Sequence, residues 1–412
     1  MPEFLKVVTP AEALRRLLEA LPSEIETPAE TTSTADSTGR VLAQAVAAPH
    51  PLPAFARSTV DGFAVRAADT FGASGSLPAY LKLVGEIPMG REAGIDLGPS
   101  QSALVHTGGM IPAGANAVVM LEDTQRARED EIEVLKPVSV GQNVLHAGED
   151  VETGEFVLDS GTQLRSQEIG GLLALGVVEI KVFRRPSVGI LSTGDEIVGP
   201  ESEPSPGQVR DVNSYTLSSL VTRAGGIPVR RGIIPDRFEA LLDAATLSHR
   251  EDDVLIITAG SSVSARDITA DVIQRLGPPG VLVHGVSIKP GKPTILAVAE
   301  GKPVIGLPGN PVSALIVAGL FVTPLLRRLA GMIGPQLTPT VRARLSTNVA
   351  SIAGREDHVP VRIVVTPEGV LAEPVYGRSN LIFTLVRADG VVVIPPAVTG
   401  LAANTEVEVR LM

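Results

Sequence analysis

The sequence predicts a multidomain α/β plus β protein, and three observations carry that prediction. Its 412 residues include 41 Gly and 33 Pro, a density of chain-breaking residues that calls for many short elements and argues against long helices or coiled coil. Residues 184–331 alternate short β-branched runs with helical stretches, the pattern of a mostly parallel, doubly wound sheet covered on both faces. Residues 49–145 and 332–412 instead show short Val/Leu/Ile runs broken by Gly and Pro, the pattern of small β domains, the last of them a compact β-barrel.

The elements follow in order. Thr9-Pro10-Ala11-Glu12 ahead of Leu14, Leu17, Leu18 and Leu21 reads as a capping box opening an amphipathic helix. Strands are expected at Tyr80–Val84, Ala103–Thr107 and Ala117–Met120, with the acidic run Glu122–Glu133 as a polar turn. In the α/β block, Val188–Leu191 is a strand ending in Ser192-Thr193-Gly194-Asp195-Glu196, and Asn213–Arg223 is a helix stopped by Gly225-Gly226. Strand Ile227–Ile234 ends at Pro235-Asp236, and helix Phe238–Leu247 follows. Strand Asp253–Thr258 runs into Ala259-Gly260-Ser261-Ser262 and a helix near Ile268–Leu276. Three more strands, Val281–Val283, Ile295–Val298 and Val304–Leu307, precede a helix at Pro311–Leu329. Pro303–Leu326 lacks charge, but four prolines and three glycines divide it, so it reads as a buried strand, a turn and a buried helix instead of a membrane span. Strands Thr340–Leu345, Val361–Val365, Gly390–Ile394 and Glu406–Leu411 complete the chain.

Composition narrows the chemistry. Cys is absent, which excludes disulfides, thiolate nucleophiles and Cys-based metal sites. With 9 Phe, 3 Tyr and no Trp, stacking platforms for single-stranded nucleic acid are not expected. Met1–Ala20 has no basic region followed by an apolar run, so no signal peptide is read there and a cytoplasmic location is expected. The net charge is −11, yet from Val272 to Arg355 nine bases face one acid, Glu300, a local excess that suits a small anion.

Ligands of doubly wound sheets bind beyond the carboxyl ends of the strands. Three such ends are polar here: Thr193-Gly194-Asp195-Glu196, then Asp236, then Gly260-Ser261-Ser262 with Asp267 five residues on. Small residues and helix N-termini let backbone N–H groups approach a phosphate, while Asp195, Glu196, Asp236 and Asp267 form a set of hard-cation ligands, Mg²⁺ by default. Taken singly, these acids are better explained as helix caps and first-turn acids. Lys289-Pro290-Gly291-Lys292-Pro293 adds two lysines three apart in a proline-braced loop, aimed at one anion at little entropic cost. Gly306-Leu307-Pro308-Gly309-Asn310-Pro311 is similarly rigid and opens a helix. Gly260-Ser261-Ser262-Val263-Ser264 is no nucleophile elbow, since Ser264 stands where the closing Gly belongs, and neither a P-loop nor a dinucleotide fingerprint occurs. The six His show no metal-ligand spacing and are read as structural or surface residues.

Six motifs in order, Ser58-Thr59-Val60-Asp61-Gly62-Phe63-Ala64, His106-Thr107-Gly108, Gly148-Glu149-Asp150, Ser192-Thr193-Gly194-Asp195-Glu196, Lys289-Pro290-Gly291-Lys292-Pro293 and Gly306-Leu307-Pro308-Gly309-Asn310-Pro311-Val312-Ser313, resemble the molybdopterin molybdenumtransferases, the MoeA-like family that includes the gephyrin E domain. The resemblance implies a homodimer of four-domain subunits: a discontinuous N-terminal helical domain (1–48 and 146–183), an inserted β domain (49–145), a molybdopterin-binding α/β domain (184–331) and a C-terminal β-barrel (332–412). It implies Mg²⁺-dependent insertion of molybdate into adenylylated molybdopterin with release of AMP, in a cleft at the subunit interface. A molybdopterin adenylyltransferase is the implied substrate donor. Neither nucleic acid nor membrane is an implied partner.

Carried over by motif, Asp61 and Thr107 resemble contributions from the partner subunit, and Glu196, Asp236 and Asp267 the acids that handle Mg²⁺ and phosphate. Lys289, Lys292 and Ser313 resemble anion ligands, with Arg355 and Ser379 from the last domain. Thr193, Gly194, Gly260, Ser262, Pro308, Asn310 and Pro311 are implied as substrate-binding. Ala259 and Ser264 replace two family glycines, which leaves less room for backbone contact at that loop. His358 and Pro360 stand near Arg355 where the family has an aromatic and a second Arg. The other readings are a non-catalytic molybdopterin-binding or scaffold protein of the same fold, and a generic nucleotide-binding transferase.

Overall fold

The computed structural model describes residues 7–22, 28–259, 263–334 and 338–412, without the side chains of residues 263–267. Its largest sheet has the strand order Ile227–Ile234, Ser187–Thr193, Val254–Ala259, Lys302–Pro308, Ile295–Ala299 and Pro279–His284. The first four strands run parallel. Both faces of these strands are covered, so almost every residue of the inner ones is buried and apolar. Val188, Ile190, Val254 and Ile256 face one core with Leu217, Val317 and Phe321, whereas Leu191, Leu255 and Ile257 face another with Leu241, Ala245 and Ile273. That alternation is the period of two expected of a strand.

The sheet is mostly parallel, as expected, with an antiparallel edge, and one other expectation needs correction here. Ile295–Ala299 pairs antiparallel with Lys302–Pro308 and with Pro279–His284, so strand–helix alternation stops at this edge. The turn Glu300-Gly301 explains it: both residues have positive φ, 46° and 79°, as a two-residue hairpin loop requires. The acidic run Glu122–Glu133 is a hairpin, Thr124–Arg128 against Glu131–Val134, at the edge of the N-terminal sheet. Its charges are those that shield an edge strand from further pairing.

The first helix spans Pro10–Glu19, with Thr9 Oγ1 accepting from Glu12 N at 3.3 Å. Only this half of the predicted capping box forms, because the Glu12 carboxylate accepts from Arg15 and Arg16 at 2.8 and 2.7 Å. The helix buries Ala13 and Leu17 in the core of the large sheet. Pro311–Leu329 is long and apolar enough to cross a membrane, but 61% of its most apolar window is buried and its side chains fill that same core.

A second six-stranded sheet, from Gly62–Val65 to Glu131–Val134, has apolar cores on both faces, around Phe63 and Leu81 and around Ala64 and Val105. Strand Ala29–Ser33 pairs with Glu179–Phe183, and helix Ser166–Ala174 supplies Leu172 to a small core with Leu42, Leu164, Ile180 and Val182. In the C-terminal region, strands Glu356–Thr366, Gly369–Pro374, Thr340–Leu345, Glu406–Leu411 and Gly390–Ile394 close into a barrel, the last pairing back to the first. Ile288–Lys289 adds in parallel to Glu356–Thr366, with Lys289 opposite Asp357, so the lysine turn is stitched to the barrel.

Candidate active site

The four parallel strands end side by side, Ile234 beside Thr193, and Ala259 beside Pro308. At a spacing of about 4.8 Å per strand, this edge spans roughly 14 Å. An acid group occupies one end and a lysine-lined cavity the other.

At the acid end, Gly194 has φ 147° and donates its N–H to Ile234 O at 3.2 Å. A Cβ there would lie 2.7 Å from Glu196 Oε2, so only glycine lets Glu196 fold back over the turn. Asp195 Oδ1 accepts from Asp236 N at 3.2 Å. Burial, then the Glu196 and Asp195 carboxylates, push the Asp236 carboxyl above the ordinary aspartate range, with the Thr193 hydroxyl opposing them. The structure therefore brings Thr193, Gly194, Glu196 and Asp236 together. Asp267 lies on helix Val263–Arg275, but its side chain is outside the described residues, as are Gly260 and Ser262.

Among the described residues, no three His, Asp or Glu side chains gather as a metal cage. Mg²⁺ seldom needs one, because it commonly takes one or two carboxylates and completes its shell with water and substrate phosphates. An Asp236 carboxyl whose charge is disfavoured beside the Glu196 carboxylate suits such a shared cation. Without the cation, folded Asp236 holds protons that the unfolded chain has released, so stability falls as pH rises above 3.8 through the raised value. Asp236→Asn is expected to raise the melting temperature of the ligand-free protein near neutral pH and to flatten that decline, as read by circular dichroism. A variant that melts below the wild type would show Asp236 to be paired, not crowded.

At the other end lies a cavity of about 1060 Å³ between the large sheet and the barrel. Of the predicted residues, Lys289, Lys292, Pro308, Asn310, Ser313, Arg355 and Ser379 line it. Pro311 opens the adjoining helix at its first position. Lys289 Nζ is 3.8 Å from Asp357 Oδ2, and the buried Asp357 also accepts from Arg355 Nε at 2.8 Å. Lys292 has no ion-pair partner among the described residues, so its ammonium is available to a ligand. Its carbonyl accepts from Val286 N at 2.9 Å, which holds the loop in place. Asn310 Nδ2 donates to Ser379 Oγ at 3.0 Å, and Val312 N to Ser379 O at 3.1 Å, tying the helix start to the barrel side. Glu196 and Asp236 are not in the cavity wall.

Asp61 and Thr107 meet in the N-terminal sheet. Asp61 Oδ1 accepts from Thr107 N at 2.8 Å and from Thr107 Oγ1 at 3.2 Å. The backbone bond is the main cause that holds the Asp61 carboxyl below its ordinary range. Neither residue lines the cavity. Sequence reasoning missed three neighbours of these groups. His106, read as structural or surface, stands between carboxylates, 2.9 Å from Glu86 Oε1 and 3.8 Å from Asp61 Oδ1. Asp357, which pairs with both Arg355 and Lys289, was signalled only by its place two residues after Arg355. Asn213, whose Nδ2 donates to Gly309 O at 2.8 Å, was signalled only by Asp-x-Asn ahead of a helix.

A doubly wound sheet with acids at one side of its carboxyl edge and a cationic cavity at the other has the charge layout of a site for an extended phosphorylated or oxyanionic ligand. Residues 8–176 match the MoeA N-terminal region (domain I and II), residues 189–328 the probable molybdopterin binding domain, and residues 342–412 the MoeA C-terminal region (domain IV). The chain belongs to the MoeA family of molybdopterin molybdenumtransferases, transferases of molybdenum cofactor biosynthesis. A putative molybdopterin biosynthesis protein of Methanocaldococcus jannaschii is 34% identical, covering 92% of this chain and 90% of its own. The molybdopterin molybdenumtransferase of Bacillus subtilis is 30% identical, covering 92% and 88%. The crystal structure of the molybdopterin biosynthesis MoeA protein from Pyrococcus horikoshii OT3, 32% identical, covers 99% of this chain and 100% of its own at a TM-score of 0.85.

Proposed function

We propose that this chain inserts molybdate into adenylylated molybdopterin, cleaving the pyrophosphate link and releasing AMP, as a cytoplasmic homodimer supplied by a molybdopterin adenylyltransferase. The observation that carries the proposal is the cavity of about 1060 Å³, with a Lys292 unpaired among the described residues, at the sheet edge that also bears the acid pair. Its size is at the upper end of small-molecule pockets, enough for more than a bare oxyanion.

The pyrophosphate and the incoming molybdate concentrate negative charge, and the chain's own groups offset it. Lys292 and Lys289 supply positive charge, and Arg355 is held at the wall by Asp357. Asn310 and Ser379 fix the far side of the cavity through their mutual bond. Glu196 and Asp236 would hold Mg²⁺, which when bound polarises a phosphoryl oxygen and neutralises charge there. Positioning both reactants in one cleft lowers the entropic part of the activation barrier. Asp61 and Thr107 reach that cleft as the contribution of the partner subunit, Asp61 fixed as a carboxylate by the Thr107 N–H.

The test is direct. Purified protein mixed with adenylylated molybdopterin, molybdate and Mg²⁺ is expected to release AMP, followed by chromatography, and to lose that release when Mg²⁺ is chelated. Retention of the pterin with no AMP would instead establish a non-catalytic binding protein of the same fold.

A further inference from the structure

The turn Asp211-Val212-Asn213, which opens helix Asn213–Arg223, touches both halves of the sheet edge. Asp211 is 7% exposed, and both of its oxygens are partnered, Oδ2 by Ser192 Oγ at 3.0 Å and Oδ1 by Ser214 N at 3.1 Å. Asn213 is 8% exposed and only half satisfied. Its Nδ2 donates to Gly309 O at 2.8 Å, while its Oδ1 is buried with no hydrogen-bond partner among the described residues. Gly309 precedes Asn310, whose amide holds Ser379, and both line the cavity.

A buried amide oxygen with no protein donor among the described residues adds nothing to the fold's stability. A side chain kept for stability alone would not leave half its polar group in that state. Gly309 is only partly buried, so water can satisfy its carbonyl if Asn213 does not. What the bond fixes is the direction of the Gly309-Asn310 turn.

We infer that Asn213 is a positioning residue of the cavity: by holding the Gly309 carbonyl it sets Asn310 and Ser379 for the oxyanion, at a cost in stability. This rests on the proposed molybdate reaction. Asn213→Ala is expected to melt at or above the wild-type temperature, to raise KM for molybdate by about tenfold, and to leave kcat at saturating molybdate unchanged. Asn213→Asp, of equal size, sets a carboxylate oxygen against the Gly309 carbonyl and is expected to raise KM further. Equilibrium dialysis with molybdate alone is expected to show the same weakening without turnover. An unchanged KM and molybdate affinity, with a lower melting temperature, would make Asn213 a helix-start residue and overturn the inference. Absence of AMP release by the wild type would overturn the reaction instead, and the dialysis series would still decide the role of Asn213.

Discussion

Lys292→Ala is expected to lower kcat/KM for AMP release by about 100- to 1000-fold while leaving the melting temperature within a degree or so of the wild type. The loss is electrostatic. A full charge about 4 Å from a ligand oxygen, at an effective dielectric constant near 20, is worth about 4 kcal/mol, which is that range of rates. Lys292 is exposed to the cavity and unpaired among the described residues, so none of this attraction is spent on the protein. Lys289 makes the control. It lies 3.8 Å from Asp357, which already offsets part of its charge, so Lys289→Ala is expected to cost less than Lys292→Ala. Steady-state kinetics at two ionic strengths would read both variants, and the gap between them should narrow as salt screens the exposed charges. Wild-type turnover in Lys292→Ala would remove this lysine from the site.

The lysine turn was legible because its cause is local. Two prolines stiffen a run of five consecutive residues, and no distant contact is needed to see that both ammonium groups stay on one loop. The parallel strands were legible for a similar reason, since Val188–Leu191 and Val254–Ile257 are near-continuous β-branched and aliphatic runs. Strand direction was not, because a run such as Ile295–Ala299 has the same composition whichever way it pairs, and Glu300-Gly301 alone reverses it. The Glu122–Glu133 hairpin was hidden because an edge strand exposed to water keeps charges that also suit a turn. In the site, the strand ends that carry Glu196 and Asp236 could be read, but their lateral distance from the lysines could not. Strand order fixes that distance, and order is set by long-range pairing. Asn213 escaped for the same reason, as did the link from Asp357 to Lys289: each runs to a partner far away in sequence.

Gly291→Ala is expected to disable the site through its scaffold. Gly291 has φ 115°, a region that side chains other than glycine's rarely adopt, and a Cβ built there lies 2.4 Å from Val317 Cγ2 and 2.9 Å from Ile288 Cδ1. Neither neighbour can retreat easily. Val317 is fully buried in the Pro311–Leu329 helix, where a β-branched side chain has essentially one rotamer, and Ile288 is buried beside the barrel strand it pairs with. Backbone strain and overpacking together should cost about 3 kcal/mol, which for a unit of this size lowers the melting temperature by about 10 °C. Below that temperature the chain has one way to relieve the clash, which is to swing the turn outward and carry Lys289 and Lys292 away from Arg355 and Ser379. AMP release should therefore fall well before the fold is lost, with activity and melting measured on the same preparation. A Gly291→Ala protein that melts later than expected but turns over normally would mean that the lysines reach their ligand without a fixed turn, and that the anion orders them, not the prolines.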